Sequence, residues 1–347
     1  MLDHSLEFTG RAVLITGGLG FIGSNLARRL VDMGARVTLL DSLLPQFGGN
    51  LFNIAGYEDR LRVNIGDLRD DHSLNHLVRR QEFIFNLAGQ VSHLDSMVDP
   101  YSDLEINCRS QLYLLEACRH HNPDARIIYT STRQVYGRPR YLPVDEKHPL
   151  EPADINGIHK QAGDWYHILY QRLYGLRTTS LRLTNTYGPR MRVVDARQTF
   201  LGLWLRQIIT GEALTVFGDG QQKRDFNYVD DVVDALLHVA VVPATEGQIY
   251  NLGAPDPVTL LDLAKLLSQR AGDGTYQLAP FPADRLAIDI GDYYADFSKI
   301  KTTLGWQPVV PLAEGLSRTL AYYRAHQNYY WGESEKHPAR LRPVTAG

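Results

Sequence analysis

The chain has 347 residues, with 36 Lys and Arg against 39 Asp and Glu for a formal net charge of −3, and 44% of it is hydrophobic. That length and apolar share support a sizeable core arranged as one main domain plus a smaller appended one. No stretch gathers Lys or Arg into a phosphate-tracking surface, no run approaches the ~20 apolar residues of a membrane span, and MLDHSLEFTGR lacks the basic start and apolar core of a leader, so nucleic acid and membrane are excluded as expected partners and the chain reads as cytoplasmic.

Short apolar, β-branched runs at 11–16, 36–40, 61–65, 83–87, 126–130 and 178–183 alternate with longer amphipathic stretches. This rhythm predicts βαβ units and a doubly wound parallel sheet with helices on both faces, an α/β Rossmann architecture. The first run leads into Thr16-Gly17-Gly18-Leu19-Gly20-Phe21-Ile22-Gly23 and then into a helix in which Ile22, Leu26 and Leu30 share a face. Gly17 allows the tight turn, Gly20 allows a pyrophosphate to approach the backbone and the helix dipole, and Gly23 allows close packing on the strand, with Phe21 and Ile22 contributing the first helical turn. Asp41 closes the second strand, where a carboxylate accepts both ribose hydroxyls and repels a 2′-phosphate. NAD is therefore expected in preference to NADP. After the third strand, Gly66-Asp67-Leu68 is placed to meet the adenine end, although Asp67 also fits a helix cap. Cys108 and Cys118 fall ten residues apart on a predicted helix, about 15 Å along its axis, too far for a disulfide. No metal is expected.

Beyond about residue 184 the rhythm loosens. A helix over 198–209, a turn at 218–221, a helix over 230–241 and short strands near Val216 and Ile249 suggest a smaller C-terminal α+β lobe. The predicted organisation is a Rossmann domain over 1–184, a substrate lobe over 185–328 with some interchange of chain, and an aperiodic extension over 329–347.

Several ordered segments carry a family resemblance. They are the glycine turn, Asn86-Leu87-Ala88-Gly89, Glu105-Ile106-Asn107, Thr130-Ser131-Thr132-Arg133-Gln134-Val135-Tyr136-Gly137, Arg182-Leu183-Thr184-Asn185-Thr186-Tyr187-Gly188-Pro189, Arg224-Asp225-Phe226 and Tyr228-Val229-Asp230-Asp231. From about Arg11 to Tyr323 the chain resembles the extended short-chain dehydrogenase/reductases that modify nucleotide sugars. The resemblance implies NAD held additionally by Leu87, Ala88 and Lys160, and a sugar-nucleotide substrate contacted by Asn107, Thr132, Arg133, Asn185, Arg224 and Arg285. Bidentate guanidinium groups such as Arg224 and Arg285 suit a diphosphate.

In the resembling enzymes a Tyr stands four residues before a Lys on one helix, and the phenol removes a proton from the sugar hydroxyl as hydride leaves the carbon. Here Asp154-Ile155-Asn156-Gly157-Ile158-His159-Lys160 puts Asn156 at the tyrosine position. An amide has no proton-accepting state near neutral pH, so Asn156 orients a hydroxyl or water and the base lies elsewhere. Three candidates follow: His159, Lys160 acting through a water held by Asn156 and Thr132, and the 90–96 loop with His93 and Asp95. A second departure lies after Thr132. The resembling dehydratases carry Asp-Glu there and the decarboxylases a Glu, whereas this chain has Arg133-Gln134.

The expected function is an NAD-dependent nucleotide-sugar epimerase acting at C-4, with Thr132, Asn156, Lys160 and His159 at its centre. Another sugar-nucleotide oxidoreductase or dehydratase, or a non-catalytic NAD or sugar-nucleotide binder, is the alternative. A homodimer is expected because Ile106, Leu112, Tyr113, Leu115, Trp165, Ile168 and Leu169 exceed what one sheet contact buries.

Overall fold

The computed structural model describes residues 4–331 apart from 197–198, 273 and 287; the side chains of 284 and 285 also fall outside the description. Six strands lie where the alternation puts them: β1 (Ala12–Thr16), β2 (Arg36–Asp41), β3 (Leu61–Ile65), β4 (Phe83–Asn86), β5 (Arg126–Thr132) and β6 (Arg177–Leu183). A seventh, β7 (Gln248–Asn251), completes one sheet in the order β7-β6-β5-β4-β1-β2-β3, with every pairing parallel. The strand near Ile249, expected in the smaller lobe, thus extends the main sheet by pairing with β6, so the main domain takes back chain from beyond residue 184.

Side-chain alternation builds two apolar layers. Leu14, Ile84 and Ile127 face a layer shared with α2 (Ser110–His121) and α3 (Ile155–Tyr174). Val13, Ile15, Phe85 and Ile128 face the opposite layer, shared with α1 (Phe21–Asp32) and α4 (Val229–Val241). Helix α3 begins at Asp154, whose carboxylate accepts from Gly157 N at 2.7 Å, and ends at Gly175 in the left-handed region. Its Asp164 pairs with Arg182 Nε at 2.9 Å, and this fully buried bond fixes α3 against β6.

The smaller lobe gathers the helices Phe200–Ile209, Leu260–Ala271 and Leu312–His326 around Trp204, Leu205, Phe226, Leu263, Leu316 and Tyr323, beside a parallel pair of strands at Leu214–Phe217 and Tyr276–Ala279. The helix expected from 198 starts at Phe200, with Thr199 accepting from Leu201 N at its cap. The start of the aperiodic extension is not peripheral, because Tyr330 is buried in this core and its hydroxyl donates to Asn53 Oδ1 at 2.7 Å. Residues 332–347 lie outside the described residues.

Of the surplus apolar positions, Leu115 and Ile168 are buried in the protomer, so they do not contribute to an outer face. Trp165 and Leu169 stay about half exposed, and Tyr101, Ile158 and Leu173 join them. The predicted helix that carries both cysteines belongs to a run built in three pieces, Pro100–Leu104, a π-helical stretch Glu105–Arg109, and α2. Both cysteines are free and buried. Among the described residues no helix is long and apolar enough to cross a membrane.

Candidate active site

The sheet order reverses between β1 and β4, which opens a crevice at the carboxyl ends of these strands. Thr16 closes the crevice floor: its hydroxyl donates to Asn86 Oδ1 at 2.9 Å and accepts from Leu87 N and Ala88 N at 3.1 and 3.2 Å. Gly17 sits at φ +68, and a Cβ there would stand 2.9 Å from Ala88 N; one on Gly23 would stand 2.2 Å from Gly17 O. Only glycine allows this turn to lie so close to both strand and helix. Gly20 caps α1 with no side chain satisfying the first helical N–H groups, which leaves them for an anion. Asp41, buried at the tip of β2, accepts from Leu19 N at 2.9 Å and Leu43 N at 2.8 Å and still lines the cleft. Burial raises its pKa, against the pull of these N–H groups. Gly17, Gly20, Phe21, Ile22, Gly23, Leu68, Leu87, Ala88 and Lys160 all line the same cleft, so the predicted cofactor residues converge. Asp67 lines it too, but its carboxylate is held by the backbone N and guanidinium of Arg69, and the following helix is capped by Asp70. A dinucleotide fits this donor set: bare backbone for the pyrophosphate, and a carboxylate for ribose.

At the other end of the cleft, Thr132, Arg133 and Gln134 come from the end of β5, Asn156 and Lys160 from α3, and His93 from the loop after β4. Lys160 is buried, donates to Thr130 O at 3.3 Å, and has its pKa pushed down to about 8 by burial, with the carboxylates of Asp103 and Asp164 pulling the other way. Asn156 is fully buried. Its Nδ2 donates to Gln90 O (2.8 Å), Gln90 Oε1 (3.1 Å) and Asp103 Oδ2 (3.0 Å), which fixes the amide orientation and leaves Oδ1 without a partner among the described residues. The amide therefore has an unpaired but buried acceptor and no spare donor.

His159 does not reach the cleft. Its Nδ1 is 2.7 Å from Asp103 Oδ1, on the side of α3 turned away from the lining, because one residue of helix rotates the side chain by about 100°. His93 does reach it. Nδ1 of His93 bonds the Asp154 carboxylate, and the Gln134 amide nitrogen packs against the same ring, 2.5 Å from Nδ1 and 2.7 Å from Nε2, while Gln134 Oε1 accepts from the Thr132 hydroxyl at 2.9 Å. Burial works against the ionised Asp154 carboxyl, but the His93 bond and the Gly157 N–H outweigh it and hold the pKa below the ordinary carboxylate value. In the neutral tautomer that gives Nδ1–H to that carboxylate, the lone pair is on Nε2.

The substrate residues divide. Asn185 lines the cleft and donates to Asp225 O at 3.0 Å. Asn107 lies beneath the lining, exchanging bonds with Gln90 N and O at 3.2 and 2.9 Å, so it supports the loop carrying His93. Arg224 turns into its own lobe, donating to Lys223 O at 2.8 Å and to Gly291 O, and it is absent from the lining. Arg285 is on the short helix Ala283–Leu286, and its side chain lies outside the described residues. Asp103 and Asp154 were not singled out from the sequence. Asp154 carries a signal there, an acid three residues before Gly157 at a helix start, whereas Asp103 is distinguished only by its burial.

A nucleotide cradle at the switch point of a parallel sheet, with a lysine from a flanking helix at its far end, places this molecule among the dinucleotide-binding α/β proteins. The sequence matches the NAD dependent epimerase/dehydratase family over residues 13–253, and the chain belongs to that family, whose cofactor is NAD. A UDP-glucose 4-epimerase from Mycolicibacterium smegmatis is 33% identical over 317 residues, covering 90% of this chain and 98% of its own. UDP-glucuronic acid decarboxylase 1 from Xenopus tropicalis is 31% identical over 340 residues, 96% of this chain and 77% of that protein. The solved dTDP-glucose 4,6-dehydratase of Streptomyces venezuelae, with NAD bound, superposes with a TM-score of 0.84 at 28% identity, over 92% of this chain and 99% of that one. Relatives of comparable similarity thus run three reactions, and the side chains around Thr132 have to discriminate among them.

Proposed function

We propose that the chain is an NAD-dependent nucleotide-sugar epimerase acting at C-4. The observation that carries this reading is the wall beside Thr132: among the described residues lining the cleft the only carboxyl groups are Asp41 and Asp67, both at the ribose end. Elimination across C-5 and C-6 requires an acid and a base beside the sugar, and the resembling decarboxylases use a Glu there; Arg133 and Gln134 supply neither. Epimerisation requires only that hydride leave C-4, the keto sugar turn, and hydride return to the other face. NAD supplies the hydride acceptor and donor.

The chain's own groups orient the sugar and move the proton. Lys160 holds ribose and keeps positive charge under the reacting hydroxyl. Thr132 Oγ1 and Asn156 Oδ1 position that hydroxyl, and His93 Nε2 takes its proton once the sugar displaces the Gln134 amide, with Asp154 stabilising the imidazolium. Incubation with UDP-glucose, UDP-N-acetylglucosamine, UDP-glucuronic acid and dTDP-glucose, followed by NMR of the products, tests the reading. A C-4 epimer from at least one of them is expected; a 4-keto-6-deoxy sugar or a pentose as the sole product overturns it.

The same family resemblance, with the exposed apolar side chains of Tyr101 on the helix Pro100–Leu104 and of Ile158, Trp165, Leu169 and Leu173 on α3, supports a homodimer formed through these helices. Light scattering at micromolar concentration should give twice the chain mass, and a monomer would remove this reading.

A further inference from the structure

The geometry points to Arg133 as the residue that selects a sugar nucleotide whose sugar carries a carboxylate at C-6, a uronic acid. Arg133 lines the cleft directly after Thr132 and is partly buried. Among the described residues no hydrogen bond or ion pair reaches its guanidinium; its neighbour is the ring of Tyr293, whose centroid is 5.2 Å away. A cation over a ring face keeps its in-plane N–H groups unspent, and a guanidinium carries five of them in a fork that matches a carboxylate.

The surrounding charges are engaged elsewhere. Asp154 serves His93 and Gly157 N. Asp289 accepts from Gly291 N at 3.1 Å and stands 3.8 Å from Arg224. Asp225 accepts from Ala295 N at 3.1 Å, and burial pushes its pKa up to about 7, so near neutrality it supplies only a partial countercharge. Arg224 adds to the local positive charge while bonding to its own loop. A partly desolvated cation with no committed anion is costly unless a ligand completes it.

Two anions of a sugar nucleotide compete for this role, the diphosphate and a carboxylate on the sugar. In a hexose the anomeric phosphate lies across the ring from C-4, whereas C-6 hangs from the carbon next to C-4. Arg133 adjoins the threonine that the C-4 reading sets against the C-4 hydroxyl, where the substituents of C-3 and C-5 lie nearer than the anomeric phosphate, and of these only C-6 can carry a carboxylate. This rests on the C-4 reading for the orientation of the sugar, and its test needs no turnover.

Isothermal titration of the full chain loaded with NAD, using UDP, UDP-glucose and UDP-glucuronic acid and their thymidine counterparts, measures the preference. In one nucleotide series the uronic acid should bind about tenfold or more tighter than the glucose compound, the worth of a charge-assisted bidentate contact. Arg133→Gln should erase that difference and leave the affinity for the bare nucleotide diphosphate within about twofold, while Arg133→Lys, keeping the charge without the fork, should retain part of it. Retained diphosphate affinity also reports that the variant is folded. Equal affinity of the unaltered chain for glucose and glucuronic acid nucleotides overturns the inference. So does a loss in Arg133→Gln that is the same for all three ligands, which would assign the guanidinium to the diphosphate. Failure of every nucleotide to bind would instead remove the sugar-nucleotide reading itself.

Discussion

At the cofactor end of the cleft the turn Thr16 to Gly23 presents its backbone, with Asp41, Leu68, Leu87 and Ala88 joining it at the carboxyl ends of β2, β3 and β4; at the sugar end His93, Asp103 and Thr132 come from three segments and Asp154, Asn156 and Lys160 from the start of α3, joined largely through side chains. The first is a conformational device, in which glycine turn geometry presents N–H groups. The second is a network in which two buried carboxylates each hold one histidine, Asp103 with His159 and Asp154 with His93, and only the second histidine faces the cleft. Side-chain changes at the first end therefore act on cofactor binding, and at the second they decide the chemistry.

The largest expected effect is that of Lys160→Ala, which removes a buried cation shared by both ends. Turnover should fall by about 10³ or more, since positioning and charge stabilisation are lost together, and NAD affinity should drop as well. Steady-state rates and NAD titration read both. Turnover within tenfold of the unaltered protein would mean that the chemistry lies away from α3.

The two histidines sharpen the comparison. His93→Gln should cost about 10² in kcat, the usual worth of a general base, with NAD still bound, whereas His159→Gln should cost less than about threefold because that ring serves Asp103 behind the lining. The reverse ranking would return the base to His159 and refute the assignment of His93.

Asp41→Ala probes the backbone-dominated end. NAD binding should weaken by about tenfold, and discrimination against NADP should narrow, because the carboxylate that repels a 2′-phosphate is gone. Unchanged selectivity would show that the turn alone sets the cofactor.

The smallest effect is on stability. Lys160 titrates near 8 in the folded chain against an ordinary 10.5. Its burial penalty is therefore fully present below pH 8 and is relieved as pH rises from 8 towards 10.5, since there the unfolded chain holds a proton that the folded chain has released. In the absence of NAD, Lys160→Met should be more stable than the unaltered protein at pH 7, and the gap should shrink by pH 10. Urea unfolding at the two pH values measures it, and a gap independent of pH would mean that Lys160 is not desolvated.

Local physics made much of this legible in the amino-acid order. The βαβ alternation, the glycine turn and Asp41 are set by periodicity, φ preference and strand ends, so six strands and a group of residues that gather in one cleft could be placed from sequence. That Asn156 stands one helical turn before Lys160, where the resembling enzymes carry a Tyr, was equally visible, because that spacing is a helical one. What only tertiary structure decided depends on distances between segments far apart in the chain. β7 joins the main sheet because β6 offers an open parallel edge, and Tyr330 is buried because Asn53 and the small lobe receive it. Adjacency to Lys160 made His159 look catalytic, but helical rotation turns it to Asp103, while His93, 61 residues from Asp154, is aimed into the cleft by a contact that no local pattern encodes.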